Sequence, residues 1–167
     1  MITIKESTYD DIKNIQNLWA DEDVMKYIWP GGLHETEEGV REYLDRLINA
    51  RPKSNHYSIF EDGKYCGETQ YCIAEGTKGA SLDIKLFKFA RGRGIATQAL
   101  SYSIREAFKH GAKRVWVDPH PSNANAIHLY KKLGFVQKEM PEDVIALGED
   151  PTVFTYMELC KEQWKEI

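Results

Sequence analysis

The sequence predicts one mixed α/β domain, in which helices cover the faces of a single sheet. Its length of 167 residues fits one domain, spanning residues 1–167. With 42% hydrophobic and 29% charged residues, its composition is ordinary for a soluble globular protein. Short strand patterns with tight turns fill much of the first half, and strands alternate with helices in the second. This order favours a mixed sheet of the α+β kind over a bundle or a barrel.

The first half predicts a strand, two helices and three further strands. Ile2 and Ile4 alternate with polar residues, which indicates a strand. Thr8 is a suitable N-cap for the first helix, and helical character resumes through Val24 and Ile28. The other predicted elements of this half are a second helix from Glu35 to Ile48, a strand from His56 to Phe60, its hairpin partner from Tyr65 to Ile73, and a fourth strand through Leu82, Ile84 and Leu86.

The second half predicts two more helices and three more strands. A long helix runs from Gly94 to about His110, with Gly111 as its C-cap. The remaining predicted elements are a strand from Arg114 to Asp118, a helix from Asn123 to Lys132, strands from Phe135 to Lys138 and from Val153 to Leu159, and a loop from Pro141 to Pro151. The full order is β-α-α-β-β-β-α-β-α-β-β, which makes seven strands.

The net charge and the cysteine content disfavour some classes of partner and of bound group. The net charge of −4 disfavours nucleic acid as the main partner, because duplex-binding proteins usually carry a basic face. The three cysteines contain no Cys-x-x-Cys pair, and the five histidines are scattered, so we expect no metal site. The chain shows no signal pattern and no membrane-spanning apolar run. We therefore expect a cytoplasmic protein with no membrane partner; a homodimer is left open.

A glycine-rich segment lies between the fourth predicted strand and the long helix. It reads Arg91-Gly92-Arg93-Gly94-Ile95-Ala96. The first N–H groups of a helix lack intrahelical partners, and together with the helix dipole they form an anion site. Glycines let those groups approach a ligand closely, and a pyrophosphate is the expected guest. The segment is neither a P-loop nor a dinucleotide-binding fingerprint, and taken alone it could be a flexible turn.

In its context this segment resembles the acetyl-CoA-binding loop of the GNAT superfamily of N-acetyltransferases, whose motif is Gln/Arg-x-x-Gly-x-Gly/Ala. Arg91, Gly94 and Ala96 match the motif. The resemblance implies that the backbone amides of this loop hold the pyrophosphate of coenzyme A. It also implies a mostly antiparallel sheet that splays between strands four and five, with helices on both faces and the thioester between those strands.

A second segment is similar to a later motif of the same superfamily, Asn-x-x-Ala-x-x-x-Tyr-x-x-x-Gly-Phe. Asn123, Ala126, Tyr130, Gly134 and Phe135 fit it. Asn123 and Tyr130 lie seven residues apart, close to two helical turns, and therefore share one helix face. On spacing alone Tyr130 could equally be a packing residue. The resemblance implies that it protonates the departing thiolate of coenzyme A.

The resemblance covers essentially the whole chain and implies a set of residues that bind acetyl-CoA as co-substrate. That set is Leu86, Arg91, Gly92, Arg93, Gly94, Ile95, Ala96, Asn123, Ala126 and Tyr130. No metal ion is implied.

A closer similarity, to the aminoglycoside 6′-N-acetyltransferase branch, rests on Asp118-Pro119 before the asparagine helix and on Asp83 in the fourth strand. It implies that both aspartates bind the acceptor amine or remove its proton. A primary amine is only about one part in a thousand unprotonated at neutral pH, a handicap of about 4 kcal/mol, so a carboxylate base is chemically useful. Alternatively, Asp118 belongs to a plain Asp-Pro turn, and Asp83 is a solvated residue paired with Lys85.

These observations predict an acetyl-CoA-dependent N-acetyltransferase that acts on a primary amine of a small molecule by direct attack. An aminoglycoside is one candidate acceptor, although the short segment from Glu75 to Ala80 replaces the longer acidic insertion usual in that branch. Three alternatives stay open. They are acetylation of a protein or peptide amine, a non-catalytic acyl-CoA-binding module, and a nucleotide-binding regulator that uses the glycine loop alone.

Overall fold

The computed structural model describes residues 1–166, and within them seven strands form a single sheet in the order β1-β2-β3-β4-β5-β7-β6. The strands are β1 (Ile2–Glu6), β2 (Ser54–Glu61), β3 (Lys64–Ile73), β4 (Gly79–Leu86), β5 (Arg114–Val117), β6 (Val136–Gln137) and β7 (Met157–Cys160). None of the helices in these residues is long and apolar enough to cross a membrane.

The predicted hairpin between β2 and β3 turns at Asp62-Gly63. Asp62 and Gly63 both have positive φ, at 47° and 80°, as a tight two-residue turn requires. The pairing of the two strands shifts register between Ile59 and Phe60, next to Cys66 of β3. Beyond this bulge, Glu68 and Gln70 face one side of the sheet, and Thr69 and Tyr71 face the other.

The sheet is antiparallel except between β4 and β5, which pair in parallel over three rows only, from Gly79 with Arg114 to Ser81 with Trp116. β4 then continues to Leu86, whereas β5 ends at Val117. The two strands therefore part after the third row, and a gap opens in the middle of the sheet. This confirms the predicted splay.

Helices cover both faces of the sheet, as predicted. They are α1 (Ile12–Ala20), α2 (Glu37–Asn49), α3 (Ile95–Lys109), α4 (Ala124–Lys132) and the short α5 (Glu142–Ile145). On one face the Trp19 indole of α1 donates to Glu68. On the other face the Ser103 hydroxyl of α3 lies 2.9 Å from that of Thr69. The alternation along β3 thus fixes which residues face which helices.

Apolar packing holds the helices in place. α3 buries Leu100 and Ile104 completely, in the same cluster as Tyr71 and Val115 of the sheet. α1 and α2 pack on the opposite face around Leu18, Leu44 and their neighbours. The sheet and the helices on either side of it therefore form the rigid frame around the gap.

Three details of the predicted element order are wrong. The loop from Pro141 to Pro151 contains α5, because Val144 buries itself against Trp116 and Tyr156. The stretch from Val24 to Ile28 consists of turns: the Met25 and Trp29 N–H groups each bond the carbonyl four residues earlier, but these bonds do not continue into a helix. The last strand begins at Met157 rather than at Val153.

Candidate active site

Two adjoining cavities occupy the gap between β4 and β5. The smaller cavity has a volume of about 280 Å³, and Asp83, Asp118 and Tyr130 line it. The larger, of about 1010 Å³, runs past the start of α3 and is called the groove below. Ile84 and Lys85 are among the residues that line both. A molecule lying in the groove can therefore present one end to the smaller cavity.

The groove passes over the glycine loop, residues 91–96. Gly92 and Gly94 have φ values of 74° and 80°, a left-handed conformation that side chains other than glycine rarely adopt. A Cβ at either position would meet no protein atom within 4 Å, so the space beside both glycines is open to a ligand. The first hydrogen bond of α3 runs from the Gln98 N–H to the Gly94 carbonyl, which leaves the preceding helical N–H groups free to bind an anion.

The two arginines of the loop differ in their partners. Arg91 lines the groove, where its guanidinium donates to the Leu86 carbonyl and forms an ion pair with Asp23. Arg93 instead forms a two-pronged ion pair with Glu61, at 2.9 and 2.6 Å. Arg93 lies outside the groove lining, whereas Arg91 lines it together with Lys26, Lys88 and Lys132, which add positive charge beside the free backbone N–H groups.

The structure brings most of the predicted co-substrate residues to the groove. They are Leu86, Arg91, Gly92, Gly94, Ala96, Asn123 and Ala126. Ile95 is instead buried in the core, with 1% of its surface exposed, so only its backbone can face a ligand. Asn123 caps α4, since its side chain accepts from the Ala126 N–H, which holds it at the helix start rather than free in the groove.

Tyr130 reaches the smaller cavity from α4. Its ring packs against Phe135 with centroids 5.5 Å apart, and only 7% of the residue is exposed. Burial, followed by the nearby charges of Asp83 and Asp118, raises the pKa of the Tyr130 phenol above its ordinary value. The phenol therefore stays protonated at neutral pH, as a proton donor must.

Asp83 is held firmly at the side of the smaller cavity. Its Oδ1 accepts from the Ile84 N–H at 2.9 Å, and its Oδ2 forms an ion pair with the Lys85 ammonium. About a third of the Asp83 side chain is exposed. Asp83 thus makes the ion pair with Lys85 that the alternative interpretation expected, and it also lines the smaller cavity.

Asp118 follows the last residue of β5 and also lines the smaller cavity. Burial is the largest cause that raises the pKa of Asp118 to about 8, followed by the hydrogen bond and the charge of Glu149 and then by the charge of Asp83. Two carboxyl groups in contact favour a shared proton, because both cannot ionise freely. Asp118 is therefore suited to accept a proton near neutral pH.

Sequence reasoning missed Glu149. It lies in the segment between α5 and β7, far from Asp118 in the chain. The only available signal was the acidic pair Glu149-Asp150 next to Pro151, which reads as an ordinary surface loop. Nothing in that pattern says that the loop folds back onto the end of β5.

A buried polar chain behind Asp83 was also missed. Glu68 lies between the His56 imidazole and the Trp19 indole, each 3.0 Å from one of its oxygens, and its Oε1 is 3.4 Å from the Lys85 ammonium. Burial alone would raise the pKa of Glu68, but His56 and Lys85 hold it below its ordinary range. Glu68 and His56 are buried, and strand alternation alone did not identify them as part of a functional site.

Aromatic residues complete the lining of the smaller cavity. His120 stacks on Tyr27 with centroids 5.8 Å apart, and both line this cavity. Ile28 reaches the same lining and Trp29 lies beside it, with 53% and 57% of their surfaces exposed. The segment that follows α1 thus contributes Tyr27 and Ile28 to the lining of the smaller cavity.

The fold is shared with solved N-acetyltransferase structures. Spermidine N-acetyltransferase from Vibrio cholerae, in complex with CoA and spermine, matches 97% of this chain and 96% of its own at 17% identity, with a TM-score of 0.79. Aminoglycoside acetyltransferase AAC(6')-Ib, in complex with coenzyme A and kanamycin, matches 98% and 96% at 19% identity, with a TM-score of 0.77. Ribosomal-protein-alanine N-acetyltransferase from Brucella melitensis matches 95% and 99% at 18% identity, with a TM-score of 0.75.

The family assignment rests on a separate comparison with protein families. The acetyltransferase (GNAT) domain family matches residues 2–136, which is most of the chain and includes the glycine loop, Asp83, Asp118 and Tyr130. The sheet that splays between β4 and β5 agrees with the fold that the resemblance implied. This chain belongs to the GNAT family of acetyltransferases.

Proposed function

We propose that the protein transfers the acetyl group of acetyl-CoA to a primary amine of a small molecule, by direct attack and without an acyl-enzyme. One observation carries the proposal: a groove at the start of α3 joins a smaller cavity that holds Asp83, Asp118 and Tyr130. The groove offers donors for a pyrophosphate. The smaller cavity offers carboxyl groups for a cationic amine.

On the donor side, the free N–H groups at the start of α3 and the Arg91 guanidinium bind the pyrophosphate. Between them and the smaller cavity, β4 runs from Leu82 to Leu86 without β5 as a neighbour. Its free backbone groups there can hold the pantetheine arm and polarise the thioester carbonyl, and fixed dipoles of this kind often provide the largest catalytic effect.

On the acceptor side, the nitrogen of an ammonium must lose two protons, and the departing thiolate must gain one. Asp118 accepts the first proton, directly or through water, while Asp83 orients the ammonium. The neutral amine nitrogen then attacks the thioester carbonyl carbon, the C–S bond breaks, and coenzyme A leaves as a thiolate, while the second nitrogen proton passes to water as the amide forms. Tyr130 donates its proton to the thiolate and is reprotonated from solvent.

The proposed acceptor is a small mono- or diamine. Two of the solved structures carry amines, spermine in one and kanamycin in the other, which supports a cationic amine as the acceptor class. Here the segment from Glu75 to Ala80 is short, and Glu75 pairs with Lys53 away from the gap. We therefore expect better turnover of a small amine than of kanamycin.

A panel of amines and peptides incubated with acetyl-CoA tests the proposal by release of the free thiol of coenzyme A. We expect release with small primary amines. A binding module would release none with any acceptor, and release with peptides alone would favour a protein amine as the acceptor.

Acetyl-CoA should raise the melting temperature of the protein, since a ligand that binds only the folded state stabilises it. Gly94→Val should abolish this rise, because its side chain enters the open space beside the helix start and its backbone strains at φ 80°. Gly111→Val is the matched control: Gly111 has φ 107° and open space at the other end of α3, so this variant should keep the full rise. A wild-type protein without a rise at millimolar acetyl-CoA would contradict the donor assignment.

The pH dependence should report the contact between Asp118 and Glu149. Asp118 is protonated below about pH 8, so kcat/KM should increase with pH through that region as the basic form appears. Glu149→Gln removes the neighbouring charge, so the pKa of Asp118 should fall and the rising limb should move to lower pH. The acceptor titrates identically in both proteins, and the difference between the two profiles therefore isolates Asp118. Superimposable profiles would exclude Asp118 as the base that Glu149 controls.

A further inference from the structure

We propose that Lys85 determines specificity by limiting the positive charge that the smaller cavity accepts, so that the enzyme favours monocationic over dicationic amines. The inference rests on the proposed function and adds the charge class of the acceptor. A carboxylate base does not require a lysine at this position, and neither does a cationic acceptor.

The position of Lys85 follows from the strand. Asp83 and Lys85 are two residues apart on β4, so both side chains point to the same face of the sheet. Lys85 lines both the smaller cavity and the groove. Its ammonium contacts Asp83, and only 10% of its side chain is exposed. A positive charge of the protein itself therefore lies beside the carboxylate that would hold an acceptor.

Glu68 anchors this ammonium from behind. Glu68 pairs with Lys85 across β3 and β4, and its Oε1 lies 3.4 Å from the Lys85 nitrogen. Glu68 is in turn fixed by His56 and Trp19, and its side chain is 2% exposed. Lys85 cannot swing away without leaving Glu68 with one less partner in the protein interior, which is costly for a buried charge. The lysine is thus a fixed part of the site.

The charge state of the Lys85 ammonium depends on the groups around it. Asp83 and Glu68 touch it, the Tyr43 phenol contributes a weaker interaction, and burial opposes its charge. The two carboxylates outweigh burial and raise the pKa of Lys85 above its ordinary value. Lys85 therefore stays cationic and offsets part of the Asp83 charge, so the smaller cavity offers an acceptor less negative charge than Asp83, Asp118 and Glu149 alone would provide.

One ammonium can still be held between Asp83 and Asp118, which both line the smaller cavity. A second ammonium on the same acceptor would have to compete with Lys85 for Asp83 or lie close to the Lys85 charge. Like charges in a partly buried site repel strongly enough to change affinity by a factor of ten or more. The geometry therefore disfavours a short diamine relative to a monoamine with the same carbon chain.

Lys85→Met tests this directly, because methionine keeps most of the side-chain length and removes the charge. The measurement is kcat/KM for butylamine and for diaminobutane, which share a carbon chain and differ by one ammonium. We expect the ratio for diamine over monoamine to rise about tenfold. Lys13→Met is the matched control: it removes the same charge from an exposed pair with Glu37, 2.6 Å apart, and should leave the ratio unchanged.

A second variant avoids leaving the buried Glu68 carboxylate without Lys85 as a partner. Glu68→Gln/Lys85→Met removes both members of the buried pair and keeps the net charge, so it should fold where the single variant does not. The same tenfold rise is expected. An unchanged ratio in a folded, active variant, or an equal loss on both amines, overturns the inference. Failure of the wild-type protein to acetylate either amine, or any other in the panel, overturns the proposed function instead.

Discussion

Asp118→Asn should lower turnover at least a hundredfold, which is the usual contribution of a positioned general base. Asparagine keeps the shape of the side chain but cannot accept the proton of the ammonium. The loss should be largest above about pH 8, where the wild-type carboxyl is ionised while a primary amine is still mostly protonated, and smaller at lower pH, where Asp118 is itself protonated. Steady-state turnover of a small amine at fixed saturating acetyl-CoA measures it.

The control for Asp118 is Asp10→Asn, which makes the same chemical change at an exposed residue before α1. It should leave turnover unchanged. Near-normal turnover of Asp118→Asn would exclude this carboxyl as the base, and full activity of a variant with Asp83→Asn in addition would exclude a carboxylate mechanism.

Tyr130→Phe should also lower turnover by about a hundredfold or more, while the affinity for acetyl-CoA stays close to normal. Phenylalanine keeps the packing against Phe135 and deletes only the proton that the thiolate needs. Acetyl-CoA affinity by calorimetry and turnover by thiol release, measured together, separate these two effects.

Tyr102→Phe is the matched control for Tyr130, since it removes a hydroxyl from a partly buried tyrosine of α3 that packs on Tyr57. It should change neither quantity. Unchanged turnover in Tyr130→Phe would return Tyr130 to a packing role, with water as the proton donor to the thiolate.

Local signals predicted much of the fold because each is settled within a few residues. Asp62-Gly63 supplies the positive φ values of a hairpin wherever it occurs between strands. Gly111 likewise ends α3 through its own conformation, with a φ of 107° that residues other than glycine rarely adopt. The helix α5 had no such signal: its burial depends on Trp116 and Tyr156, which lie far from it in the chain.

The candidate site also combines features that a few neighbouring residues determine with features that depend on the assembled fold. The open space and positive φ at Gly92 and Gly94 follow from residues inside one loop. The contact of Glu149 with Asp118, and that of Lys85 with Glu68, require the sheet and the loops to be assembled first. The partner of Arg93 likewise depends on the assembled sheet, since its guanidinium pairs with Glu61 of β2, and its contact with a phosphate stays a prediction.

The measurement that tests the central claim most directly follows the acetyl group itself. Acetyl-CoA labelled in its acetyl group is incubated with wild-type protein and a small primary amine, and mass spectrometry locates the label. The account predicts one labelled acetyl group on the nitrogen of the amine and none on the protein, in equal amount to the free thiol. Label on the protein, or in free acetate while the amine stays unmodified, would contradict it.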